Sequence, residues 1–138
     1  TDVIQMLNGA IGGLVAITAE PLMPSPLAAI LIGGVGGIIV IFGTKVLFRF
    51  KIDDVVGAIP AHLFAGIWGT LAVPITNPDV SFGAQLLGVI SINAFVFIVS
   101  YIVWSIMKAT IGIRLSKEGE LKGTDVTETG VIAYAIRD

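Results

Sequence analysis

Apolar positions in this chain run on without alternating, and the few charged side chains fall between the runs. Asp2 and Glu20 bound an uncharged stretch of 17 residues, Glu20 and Lys45 one of 24, Asp54 and Asp79 another of 24, and Asp79 and Lys108 one of 28. A helix needs about 20 mostly apolar residues to cross a hydrocarbon core of about 30 Å. The pattern therefore predicts four membrane-crossing helices, near residues 3–19, 27–47, 54–74 and 82–110. A transmembrane β-strand would alternate apolar and polar side chains, which these runs do not. Their number, and the absence of basic residues ahead of the first, exclude a signal peptide. The fold class is all-α, a polytopic helical bundle in a membrane.

Composition sharpens this picture. Hydrophobic residues make up 55% of the 138 and charged residues 13%, about half the charge with which a soluble domain wets its surface. A soluble enzyme, a nucleic-acid binder and a disordered tail are thereby excluded. Without cysteine there is no disulfide or thiol chemistry. Lys45, Arg49 and Lys51 lie between the second and third spans, and Lys108, Arg114, Lys117 and Lys122 follow the fourth, whereas the connections Pro21–Pro26 and Pro74–Pro78 carry no Lys or Arg. Basic loops stay in the cytoplasm, so both basic segments are read as inside and both proline-rich turns as outside. The first span then starts inside, and a chain beginning at Thr1 reads as the C-terminal part of a larger polytopic protein. Nine of the 18 charged residues fall in the last 30 positions, so residues 111–138 read as a turn-rich cytoplasmic tail. Its apolar end, Val131–Ile136, suits docking on the protein's own cytoplasmic face or on a neighbouring subunit.

Small residues four apart, Gly9 with Gly13, Gly33 with Gly37, and Gly66 following His62, mark close helix packing. His62 is the one ionisable side chain well inside a span. Eight residues after Asp54, it is expected about 12 Å into the apolar layer, near the midplane. Imidazole donates at one nitrogen, accepts at the other and exchanges protons readily, which suits transfer of a small polar molecule. The bland alternative is a histidine satisfied by a neighbouring helix's carbonyl. No second His, Cys or carboxylate stands at ligand spacing, so no metal or other cofactor is implied. Gln5, Asn8, Ser91, Asn93, Ser100 and Ser105 read as interhelical hydrogen bonders, and Asp53 and Asp54 as caps at a helix's positive end. Glu20 either draws cations to an outer mouth or ends a helix. Trp68 and Trp104 suit packing, interface anchoring or pore walls equally. No phosphate loop, nucleophile constellation or paired catalytic carboxylate is visible, so the chain is not read as an enzyme.

The segment Asn8-Gly-Ala-Ile-Gly-Gly-Leu-Val-Ala-Ile-Thr18 resembles a pattern of the ammonium transporter family. A basic loop, Asp53-Asp54, His62 followed by Gly66 and Gly69, and then Gly112-Ile-Arg-Leu, Gly123-Thr-Asp125 and Ala133-Tyr134 continue the resemblance in order. It implies the last four of eleven spans plus the cytoplasmic tail, in a bacterial or archaeal inner (plasma) membrane. On that resemblance His62 falls on the second of the family's two pore histidines, Ile11 and Ala58 match positions lining its apolar conduit, and Asp54 and Thr18 belong to its signature. It further implies ammonium as the substrate, a homotrimer with one pore per subunit, and a PII-type regulator or a fused signalling domain at the tail. Two places depart from the family: Gly57-Ala-Ile-Pro-Ala-His62 lacks an acidic residue and gains Pro60, which is expected to kink the span, and Glu128-Thr-Gly130-Val replaces the usual run after the tail aspartate. These departures fit a divergent subgroup whose channel serves as an ammonium sensor signalling through the tail, the alternative to a transporter.

Overall fold

The computed structural model describes residues 3–22 and 25–133, and among them the only regular structure is helical. The helices are α1 (Val3–Ile17), α2 (Pro26–Arg49), α3 (Ile59–Thr76), α4 (Phe82–Thr110) and α5 (Lys117–Lys122). By length and composition α2, α3 and α4 can each cross a membrane. The 15 residues of α1 rise only about 22 Å, short of the apolar layer.

Local chemistry sets these boundaries. Ser25 begins α2: its hydroxyl accepts from the Ala28 amide, and Pro26 occupies the first helical position, where a missing N–H costs nothing. The third helix starts at Ile59 and not at Asp54, because Gly57 takes a left-handed backbone (φ +73°) that no helix can contain. Pro60 consequently falls in the first turn, where it fits without the kink expected of it mid-span. Pro74, expected in the outer connection, lies inside α3, which runs on to Thr76.

The chain divides into two compact units, residues 1–93 and 94–138. In the first, α1 and α2 pack antiparallel with their backbones nearly touching. A methyl group at Gly13 would lie 3.0 Å from the Gly33 carbonyl oxygen, one at Gly37 3.1 Å from that of Gly9, and one at Gly36 2.7 Å from both the Ala16 methyl and the Gly12 carbonyl oxygen. In a lipid environment water provides no drive for helices to associate, so such contact is what holds them. α3 lies against both through small side chains: Ala72 meets Ala16 and Ile32, and Ala61 and Ala65 meet Val40. Trp68 ties the packing with its indole N–H donating to the Ile32 carbonyl at 3.0 Å. α4 buries none of its residues.

In the second unit, the Phe97 and Tyr101 rings stack one turn apart on α4, and Trp104 is exposed. The segment expected to be turn-rich contains the short helix α5, capped by the Ser116 hydroxyl accepting from the Gly119 amide at 3.1 Å. A π-helical stretch, Asp125–Thr129, follows it. Arg114 grips Glu120 with two nitrogens. This contact holds the Glu120 carboxyl below the usual carboxylate range and raises the Arg114 guanidinium above its own. The Asp125 carboxylate accepts from the Ala133 amide at 2.8 Å. Tyr134 and Ile136, which belong to the resemblance and to the apolar end of the tail, lie outside the described residues, as does Asp2.

Candidate functional site

Residues 52–58 join α2 to α3 outside the bounds of either helix, and the backbone groups that turn bonds leave unpaired here need other partners. Two side chains supply them. The Asp54 carboxylate accepts from the Ala58 amide at 2.9 Å and from the Ile59 amide at 2.8 Å, which makes it the cap of α3. The Asn8 amide of α1 donates to the Val56 carbonyl at 2.7 Å. Gly57 passes so close to Asn8 that a β-carbon there would overlap the Asn8 side-chain nitrogen.

Beyond this cap, residues Ile59–Phe64 wind as π-helix, with the Ala65 amide donating to the Pro60 carbonyl five residues back. π turns leave a helix's regular ladder and are found often at functional sites. His62 sits in this turn with its imidazole exposed. It lines a groove of about 290 Å³ with Gly66 and Thr70 of α3 and Gln85, Val89 and Asn93 of α4. The groove is mostly apolar, with a few hydrogen-bonding groups beside the imidazole. The Asn93 amide donates to Val89 in its own helix at 2.8 Å, as Ser105 donates to Tyr101, so among the described residues neither makes the interhelical bond expected of it.

His62 is the fourth residue of α3, about 5 Å from its start rather than the 12 Å expected from Asp54. It reaches the expected depth only where Val55–Ala58 also lie within the apolar layer; these residues are uncharged and, glycine apart, apolar. Ile11 and Ala58 are exposed and do not line the His62 groove. Ala58 stands four residues before His62, and Ile11 lies on α1. The Thr18 hydroxyl closes α1 by donating to the Val15 carbonyl at 2.7 Å. Glu20 accepts from Asn77 at 3.4 Å, linking the α1–α2 connection to the end of α3, and its second oxygen is buried without a donor among the described residues. Among the described residues no three His, Cys, Asp or Glu side chains gather where they could hold a metal ion.

Sequence reasoning grouped Asn8 with the weak polar signals and missed its bond to Val56, whose one sign was an amide in an otherwise uncharged run. Thr70 and Gln85 were not singled out. Their only signal was helical spacing from His62 in one case, and polarity near the start of α4 in the other.

The sequence profile of the Ammonium Transporter Family matches residues 1–134. A Synechocystis protein provisionally named an ammonium transporter is 40% identical over 94% of this chain and 30% of its own length. The ammonium transporter Amt2 of Archaeoglobus fulgidus is 36% identical over 96% of this chain and 33% of its own, and that organism's Amt1 is 34% identical over 95% and 37%. The chain thus spans about a third of the length of these relatives, which are named as transporters and not as enzymes. With helices apolar enough to make it a multi-pass membrane protein, and with a profile match over nearly its full length, the chain belongs to the ammonium transporter family.

Proposed function

We propose that this chain forms one wall of a path along which ammonium crosses the membrane as neutral ammonia, handed on by His62. The observation that carries the proposal is an exposed imidazole in a π-wound turn, in a mostly apolar groove, on a helix without another ionisable side chain. A charged ion at the centre of a bilayer costs several kcal/mol, whereas a neutral amine costs far less. An apolar path therefore favours shedding the proton at its mouth, and imidazole then accepts a hydrogen bond from ammonia or donates one to it. Ile11 and Ala58, exposed and apolar but outside the His62 groove, are assigned to the conduit wall by the family resemblance; Asp54 fixes the start of the helix bearing His62, and Thr18 ends α1. The substrate is ammonium, as the names of the relatives suggest.

The basic segments around Lys45–Lys51 and Lys108–Lys122 face the cytoplasm on this reading, with residues 111–138 as a cytoplasmic tail and the proline-rich connections outside. The assembly is a homotrimer in a plasma membrane, its tail open to a PII-type regulator. One observation favours the sensor reading: the tail carries ordered structure of its own in α5 and the Arg114–Glu120 pair. A sensor would bind ammonium and pass little of it. The test is methylammonium and ammonium flux into proteoliposomes carrying the intact transporter. Flux that His62→Ala abolishes or makes unselective is expected; unchanged flux and selectivity in a folded His62→Ala protein refutes the proposal, and ammonium binding without flux favours the sensor.

A further inference from the structure

We infer that Asn8 is a positioning residue for His62: its side-chain amide, donated across from α1, holds the irregular segment before α3 in the shape that sets the π-wound turn. The inference rests on the reading of His62 given above. Four observations join the two residues. The Asn8 nitrogen donates to the Val56 carbonyl at 2.7 Å. Gly57, the next residue, is left-handed and lies against the same amide so closely that no β-carbon fits between them. The Gly57 carbonyl in turn accepts from the Ala61 amide at 3.2 Å, one residue before His62. The Asp54 carboxylate holds the Ala58 and Ile59 amides on the other side of the same bend.

The physical need is specific. Non-helical backbone at membrane depth survives only where each polar group is paired within protein or faces a water-filled cavity. Asp54 accepts, so it can satisfy amides and not a carbonyl. Among the described residues the bond to Val56 comes from Asn8, which is on a different helix and so fixes the bend relative to α1. Losing that donor frees Val56 and Gly57 to rotate, and the π turn can relax to α-helical winding. Inserting or removing one residue's worth of winding turns a side chain through about 100° on the helix surface. His62 would then leave the groove while α3 itself stays folded.

The test compares Asn8→Leu, similar in size without a donor, Asn8→Asp, the same shape without a donor, and Asn8→Gln, which keeps the amide. Each is made in the intact transporter, with maximal methylammonium rate, apparent KM and melting temperature measured beside native protein and His62→Ala. The maximal rate should fall about tenfold in Asn8→Leu and Asn8→Asp, the scale of one lost hydrogen bond. Apparent KM should change less than twofold, and Asn8→Gln should recover much of the rate. Native rates in either donor-less variant overturn the inference, as does a loss in Asn8→Gln equal to that in Asn8→Leu. Failure of both donor-less variants to accumulate as folded protein also overturns it, since the role would then be structural. If His62→Ala itself keeps native flux and selectivity, the reading of His62 fails; if His62→Ala loses flux while Asn8→Leu does not, only the positioning role fails.

Discussion

Replacing Gly36 by alanine tests whether backbone contact between α1 and α2 is what holds the helices together. The added methyl would stand 2.7 Å from the Ala16 methyl and 2.7 Å from the Gly12 carbonyl oxygen. Ordinary separation between such atoms is about 3.5–4.0 Å, so the helices must part by roughly 1 Å locally. Neither obstacle is the far end of a flexible side chain, and Gly13 against Gly33 and Gly9 against Gly37 are nearly as tight on either side. The strain cannot be absorbed by a rotamer change, and overpacking of this kind costs about 1–3 kcal/mol. Gly34 is the matched control: the same methyl there meets nothing within 4 Å, and Gly→Ala in a helix interior favours the helix by up to about 1 kcal/mol. Thermal unfolding of the two purified variants, in the same detergent, should therefore place Gly36→Ala below native protein and Gly34→Ala at or above it. Equal melting temperatures would refute the close-contact argument, because both substitutions change helix propensity alike and only one meets an obstacle.

Two further outcomes follow from the capping groups and the tail. Asp54→Ala removes the acceptor of two amides at the start of α3 and should destabilise the protein by about 1–2 kcal/mol, with Asp54→Asn costing less because one oxygen remains; thermal melts of both check the order. Glu120 is held below the usual carboxylate range chiefly by the hydrogen bond from Arg114. A group whose folded value is depressed contributes its stabilisation above its ordinary value and loses it as pH falls through the lowered one. Carbon-13 shifts of the Glu120 carboxyl should therefore show it titrating below the usual carboxylate range, and Arg114→Gln should bring it back into that range.

The existence of the long helices was legible in the sequence because burying charge in lipid is so costly that the gaps between charged residues trace the apolar runs. Gly33 and Gly37 announced their partner helix for a similar reason: a residue without a side chain, repeated four apart, faces one neighbour and admits its backbone. The exact start of α3 was not legible. Asp53 and Asp54 both read as caps, yet only the folded chain shows Asp54 reaching forward to Ala58 and Ile59 past a left-handed Gly57. Pro60 and Pro74 misled for a related reason, since a proline's effect depends on its place within a helix, and that place depends on where the helix begins and ends, which the proline itself does not announce.

What the sequence determined by itself was an all-helical membrane chain with His62 as its singular polar feature, because composition and charge spacing act along the chain and need no partner. What the tertiary structure decided was the environment of that histidine: its π-wound turn, its groove beside Thr70 and Gln85, and the bond from Asn8 to Val56, 48 residues away. A hydrogen bond between distant segments leaves no period in a sequence, and a carbonyl's need for a donor is the same at every residue. Which donor meets it is settled only when α1 and the start of α3 are brought side by side.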